Sequence, residues 1–580
     1  MRRLTVAGLL AAVILLLAAV MLSLPPPAIE IDQATWHPRL PGPVVRGAYH
    51  VHTRRSDGSG TLDSVGRAAG RAGLDFVVLA DHGDATTTPE PPSLRSGVLV
   101  VDGVEISTTG GHYVALGLPA APYPLAGEPA AVVEDVARLG GFGIAAHPDS
   151  PKRQLAWEAW NEPLDGFEWL NADTEWRNES GWRLLQTLTH YPIRPVETLA
   201  ALFERPAATL ARWDRLSSEG RRLVALGAAD AHARLGLRRE TDPYGDGLAL
   251  ELPSYETAFR VFSLSVELDR PFSGIPADDA RRLLDALGRG RVLTTIDGLA
   301  RGGRLEFWAQ GGGRLYRMGD LVPGDTQLRF TVRAATPAGA EIRLLANGQP
   351  VAVSTGVELV HDAPAATERP GLTAYRVEVV GVSQTDRDLP WMVTNPIFVG
   401  REAVGTGRER DTPRHDAPEA EGTRLGGSAD VAGWRIEKDP GSTGMMLVPV
   451  EALPGDATLE FGIATGSDEA WVAAVHPLPP GVAEAPWSRV TFSARAEQPM
   501  RVSVQLRAPT PGRDQRWQRS IYLDSTERVV SLALADLQPV RSADPSIPRA
   551  DADSLLFVVD RTNSHAGARG RVWLSDIMLW

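Results

Sequence analysis

Between about residue 45 and residue 300 the chain alternates strand-like apolar runs with helical patterns, and five of the runs end on side chains of one chemical type. VVRGAY leads to His50, DFVVLA to the pair Asp81 and His82, VLVVDGV to Glu105, GFGIAA to His147 and RLVALGAA to Asp230. Short runs rich in β-branched and aromatic residues read as strands. TLDSVGRAAGRAG and EPAAVVEDVARLG each follow a strand and put Val, Leu and Ala on one face, which predicts helices. DGFEWLNAD predicts a further strand, with a longer helical section from about Glu179 to Gly220.

Six motifs collect the polar ends: HVHTRRSDG, LADHGD, VDGVEIS, GGHYVALGL, IAAHPDS and GAADAHA. They supply His50, His52, Asp57, His82, Glu105, His112, His147, Asp230 and His232, and so use six of the chain's 12 histidines. Imidazole nitrogens and carboxylate oxygens are the donors that Zn, Mn and Fe(II) prefer, and nine are too many for one ion. A cluster of two or three divalent metals is expected. With no cysteine in the chain, thiolate ligands are excluded.

These residues carry a family resemblance. HVHTRRSDG, of the form HxHxxxSDG, together with DH, GVE, HYVALG, AHP and DAH, resembles the PHP superfamily, named for its polymerase and histidinol phosphatase members, over roughly residues 40–300. The resemblance implies a distorted (β/α)7 TIM-like barrel with metals at its C-terminal mouth. It also implies a division of ligands: His50, His52, Glu105 and Asp230 around one metal, Glu105 bridging to a second held by His112 and His147, and Asp57, His82 and His232 around a third. A hydroxide bridging two metals would be the nucleophile. Glu168 and Asn171 fit the family pattern at FEWLN and would shape the pocket or serve structural hydrogen bonds.

Other groups near the motifs are expected to serve catalysis. Asp81 would orient an imidazole, and Asp149 is an acid/base candidate. Arg54 and Arg153, with Arg55 and Lys152 beside them, could grip an anionic oxygen or be solvated loop charges. Trp157, Trp160, Trp169 and Trp176 would be core or pocket wall.

Composition narrows the class. Apolar content of 43% and charge of 23% are those of ordinary globular protein, and 580 residues allow three or four domains. A net charge of -13 argues against nucleic acid as a partner. Arg2 and Arg3 precede about 21 uncharged, largely apolar residues, then PPP, which predicts a single-pass signal-anchor or signal segment with the catalytic part outside the cytoplasmic membrane, periplasmic or at the cell surface.

The expected organisation is multidomain: residues 1–30 an anchor or signal segment, 31–300 the metallohydrolase barrel, 301–400 a β-rich sandwich-like extension, 401–425 a charged linker containing His415, and 426–580 a jelly-roll domain. The extension ends in a segment from Trp391 to Pro396 of a kind familiar in extracytoplasmic PHP proteins, expected to pack on the barrel. The terminal segment resembles galactose-binding-like jelly rolls, and Trp434, Trp471, Trp487, Trp517 and Trp573 offer core packing or a carbohydrate platform. Alternation of Val502, Val504 and Leu506 with Arg501, Ser503 and Gln505 predicts a two-faced sheet.

The expected function is a membrane-anchored multi-metal hydrolase, a phosphoesterase first. An ester or carbamate hydrolase resembling the exported carbaryl-hydrolase branch is the alternative, because the ligands serve either bond. A third reading is an envelope or glycan-binding protein with an inactive barrel.

Overall fold

Tyr49, Val51, Val78 and Leu79 are wholly buried, and the strands carrying them, Val44–Val51 and Phe76–Leu79, pair in parallel with Gly47 opposite Phe76. Phe76–Leu79 pairs in turn with Val98–Val101, again in parallel. The computed structural model describes residues 2–34, 36–236, 249–365, 371–401, 422–425, 433–447, 456–478, 487–510, 513–540 and 552–580. The chain divides into two units: residues 1–83, 89–118 and 136–408, and residues 84–88, 119–135 and 409–580.

In the first unit one six-stranded ladder runs in the order Val224–Ala228, Gly166–Asn171, Phe142–Ala145, Gly111–Leu116, Gly103–Thr108, Asp81–His82. A second, longer ladder contains Val44–Val51 at its heart, flanked by Ser263–Glu267 and Phe76–Leu79. The two meet where Ala229 N donates to Tyr49 O (2.9 Å) and Ala231 N to His50 O (3.2 Å). Leu226, Ala228, Val114, Ile144, Tyr49, Val78 and Leu264 form one core between them.

The strand and helix expectations from EPAAVVEDVARLG and its neighbours correspond to Pro129–Arg138, Leu62–Arg71 and Gly166–Asn171. The expected closed barrel of seven β/α units does not correspond. Gly103–Thr108 and Gly111–Leu116 pair antiparallel, with Thr108 opposite Gly111, and Phe142–Ala145 is antiparallel to Gly111–Leu116. The physical reason is length: a parallel crossover takes a dozen residues or more, and only Thr109 and Gly110 separate the first two strands. Helices are accordingly few. The section expected to be helical from Glu179 is broken into Gly181–His190, Pro195–Ala200 and Ala207–Ser218, with proline starting the second.

The ladder also runs past residue 300. Met392–Thr394 pairs with Val292–Thr295, and Leu372–Val380 pairs with Met392–Thr394. Trp391 is wholly buried and its Nε1 donates to Ala300 O at 3.1 Å. Asn395 accepts from Ala225 N and donates to Ala225 O and Val292 O, all at 2.8–2.9 Å.

The expected membrane anchor is not borne out. Among the described residues no helix is long and apolar enough to cross a membrane.

The second unit holds two six-stranded antiparallel ladders sharing one core, in which Phe461, Phe492 and Leu574 of one ladder meet Val504, Leu506 and Phe557 of the other. Val502, Val504 and Leu506 face that core as the alternation predicts. On the opposite face Arg501 is buried against Asp135 (2.6 and 2.9 Å) and the Ala131 carbonyl (3.0 Å), a pairing that a desolvated guanidinium requires. Trp487 and Trp517 lie in the core, and Trp434 packs against it. Trp573 lies under Arg495 at 3.7 Å, and Trp471 is half-buried beside Ala473 and Val475. Residues 402–421 of the expected linker, with His415, lie outside the described residues.

Because Asn395 serves three buried backbone groups, Asn395→Ala is expected to destabilise the first unit by about 2–4 kcal/mol, the cost of orphaning them. Chemical denaturation that shows no loss of stability would overturn that role.

Candidate metal centre

Glu105 sits on the strand Gly103–Thr108 at 1% exposure, and both of its oxygens face imidazoles. Oε2 lies 3.4 Å from His50 Nε2 and 3.4 Å from His52 Nε2. The two imidazole nitrogens are 3.1 Å apart, and Asp230 Oδ1 is 3.6 and 3.3 Å from them. Four donors around a tetrahedral ion with bonds of 2.0–2.1 Å stand about 3.3 Å from one another. These five separations, 3.1–3.6 Å, lie near that edge.

Glu105 Oε1 faces a second group, with His112 Nδ1 at 2.8 Å and His147 Nε2 at 2.7 Å. A third gathers on Asp57 Oδ2, with His232 Nε2 at 3.2 Å and His82 Nε2 at 3.6 Å. All nine side chains named from the sequence therefore stand together.

The far ring nitrogens are held from outside. His50 Nδ1 donates to Glu168 Oε1 (2.6 Å), His147 Nδ1 to Leu155 O (3.1 Å) and His232 Nδ1 to Asp230 O (2.9 Å). Anchoring one ring nitrogen this way fixes the tautomer and leaves the other lone pair for a cation. His82 Nδ1 is buried, 3.1 Å from Glu105 Oε2, yet makes no hydrogen bond. An orphaned imidazole nitrogen facing a buried carboxylate fits a divalent ion, as the N/O donor set does.

The backbone is also unusual here. His50, His147 and Asp230 have φ of 63°, 29° and 43°, a region rarely adopted by side-chain-bearing residues. Such conformations persist where surrounding contacts enforce them, and they aim three cage side chains off the ends of three strands.

Without a cation the carboxylates favour the charged form of His50, His82, His147 and His232, whereas burial pushes His52 down. Burial pushes the His147 imidazole down, but Glu105 and then Asp230 outweigh it and raise it to about 9. Burial acts likewise on His232, and Asp57 and Asp230 raise it to about 10. Burial pushes the Glu105 carboxyl up, yet His50, His112 and His147 hold it well below the usual range.

Not every expected group joins the centre. Asp81 touches no imidazole. It accepts from Thr53 N (2.6 Å), Thr53 Oγ1 (2.7 Å), Ser56 Oγ (2.7 Å) and Arg55 Nη2 (2.8 Å), and so fastens the loop between His52 and Asp57. Asp149 accepts from Thr209 Oγ1. Arg54 Nε donates to Ser59 O and is exposed. Arg153 pairs with Glu158 and is 87% exposed, so it has no site to grip into. Trp157 and Trp169 are core, the former stacked on Tyr113.

Glu168 and Asn171 act on the cage itself. Glu168 Oε2 accepts from His147 N (2.8 Å), while Asn171 Nδ2 donates to Glu168 (2.7 Å) and to Asp230 Oδ2 (3.1 Å). Tyr255 was not legible from the sequence. Its hydroxyl donates to His52 O (2.8 Å) and His232 O (3.1 Å), joining segments far apart in the chain.

A cavity of about 270 Å³ opens beside the third group, with Asp57, Asp230 and His232 in its wall. Trp176, Arg177, Leu199, Leu202, Phe203 and Val261 also line it.

No known protein-family profile matches the chain. It is 33% identical over 138 residues to the uncharacterized protein MJ1587 of Methanocaldococcus jannaschii, an alignment taking in 21% of this chain and 80% of that protein. The chain belongs to that protein's family. Among solved structures, a two-domain protein of Bacteroides vulgatus containing a predicted PHP-like metal-dependent phosphoesterase is similar at 13% identity, covering 64% of this chain and 99% of that one with a TM-score of 0.27. A family 11 carbohydrate-binding module of a Clostridium thermocellum cellulosomal cellulase is similar at 14% identity over 28% of this chain and 95% of that one, with a TM-score of 0.24. At these scores neither structural likeness adds to the geometry of the centre.

Metal uptake must displace the protons on His147 and His232, since both sit above neutral pH without a cation. Their contribution to metal-free stability is fully present below about 6.5 and is lost as pH rises through about 9 and 10. Loading Zn or Mn at pH 7.5 is expected to release at least about two protons. Calorimetry in buffers of different ionisation enthalpy measures this, and release near zero would refute the assignment.

Proposed function

We propose that the chain is a metal-dependent hydrolase, with a phosphoester as the favoured substrate. The observation that carries this reading is the gathering of His50, His52 and Asp230 within coordination distance of one another, with Glu105 3.4 Å from both imidazoles and two further donor groups beside them. His50, His52, Glu105 and Asp230 would hold one ion, Glu105, His112 and His147 a second, and Asp57, His82 and His232 a third. Divalent ions of the Zn, Mn and Fe kind would supply a water nucleophile at neutral pH and neutralise charge developing on the attacked group. The chain's own part is to position them: Glu105 divides its two oxygens between two groups, and Glu168 and Asn171 fix His50, His147 and Asp230 from behind.

The apolar wall of Leu199, Leu202 and Phe203 supports a second reading, hydrolysis of an aryl carbamate or carboxylic ester at the same centre. A panel of p-nitrophenyl phosphate, bis-p-nitrophenyl phosphate and aryl carbamates, with Mn or Zn added, separates the two. Phosphate release from the first is the expected result, and turnover of carbamates alone would reverse the order. Glu105→Gln is expected to lower kcat by about 100-fold or more, because it removes the charge between two cations. Arg153→Ala, on the surface, is expected to leave kcat unchanged. Full activity in the Glu105 variant would remove the bridging role.

The pattern of Arg2 and Arg3 ahead of an apolar run also supports work outside the cytoplasm. Protease added to intact spheroplasts is expected to degrade the chain. Protection until lysis would overturn this location.

A further inference from the structure

The cavity beside the metal centre is of two natures. Its lining includes the polar side chains Asp57, Asp230 and His232 and the apolar side chains Leu199, Leu202, Phe203 and Val261. Among the described residues the lining also holds two cations, Arg177 and Arg234, and the placement of Arg177 needs explaining. It lies on the helix Ala172–Asn178 with Asp173 and Trp176, and the spacing i, i+3, i+4 from Asp173 puts all three on one face, toward the cavity. Arg177 Nε donates to Asp173, and among the described residues neither terminal nitrogen has a protein acceptor. The side chain is 32% exposed, so its guanidinium is partly desolvated but still reachable.

The helix is tied to the centre. Asn171, its N-cap, accepts from Thr174 N at 2.9 Å, while the same side chain's Nδ2 donates to Asp230 and Glu168. Arg177 is thus held at a fixed offset from the donor groups. A guanidinium with two free parallel N–H donors matches two oxygens of a phosphoryl or phosphonyl group. About 270 Å³ lies near the lower end of small-molecule pockets, room for one ring with its ester.

We infer that the substrate is a small phosphate ester carrying one apolar, ring-sized group, with Arg177 gripping the phosphoryl oxygens and the Leu202–Phe203 wall taking the ring. This rests on the hydrolase reading and adds the substrate class. Neutral esters find no use for Arg177, and small polar esters leave the apolar wall wet. The contribution of each wall is then separable.

The test uses benzylphosphonate, which is not hydrolysed, and methylphosphonate, titrated by calorimetry into the Mn-loaded full chain. Benzylphosphonate is expected to bind at least about tenfold tighter than methylphosphonate, from burial of the ring. Arg177→Gln is expected to weaken both by about tenfold, the scale of a lost charge-assisted contact. Phe203→Ala is expected to weaken benzylphosphonate and spare methylphosphonate. Far-UV dichroism and melting of each variant establish that it is folded. Equal affinity for the two phosphonates, or unchanged binding by folded Arg177→Gln, would overturn the inference. Tight, Arg177-dependent benzylphosphonate binding by a wild-type chain that hydrolyses no ester would support this pocket assignment while removing the hydrolase reading.

Discussion

A carboxylate at 1% exposure cannot remain charged in a protein interior unless groups around it replace the water it has lost. Glu105 meets that condition with imidazoles on both oxygens: His50 and His52 near Oε2, His112 and His147 near Oε1. Each of those rings needs its own support, and Glu168, Ser56, Ser107 and the Leu155 carbonyl supply it. The loops that carry the rings are fixed for the same reason, by Asp81 below Thr53 and Ser56 and by Tyr255 across His52 and His232. Much of the polar hydrogen bonding around the centre follows from burying that one side chain.

The donor set was legible because its chemistry is confined to few residue types and because each donor sits at the end of an apolar run. His50, His82, Glu105, His147 and Asp230 could be named from local pattern alone. The partners of Asp81, Asp149 and Arg153 could not be read from it, since adjacency in sequence says nothing about which way a loop turns. Asp149 turns to Thr209 on a distant helix, and Arg153 turns to Glu158 and water. Tyr255 and Arg177 carry no local signal, because what matters about them is a partner many residues away.

The fold was legible element by element and less so in its connection. The apolar runs became buried strands and the amphipathic stretches became helices. Closure into repeating β/α units was not legible, because the spacing between Thr108 and Gly111 forces a hairpin where the repeat would place a crossover. The sequence change near residue 300 likewise marks a change in composition, while the strand Met392–Thr394 returns to lie beside Val292–Thr295. Register of that kind depends on Asn395 and Trp391 meeting Ala225 and Ala300, contacts with no counterpart in local periodicity.

The hydrogen bonds from Ala229 to Tyr49 and from Ala231 to His50 join the first donor segment to the last. A chain leaving the ribosome makes His50 and His52 long before Asp230 and His232. Until those late residues emerge, the early pair faces an incomplete shell, and an ion held there would keep open positions for exchange with whatever metal is abundant. Selection among metals is therefore deferred to the finished fold. On the proposed metal reading, the compartment in which folding ends would decide which ions the centre takes.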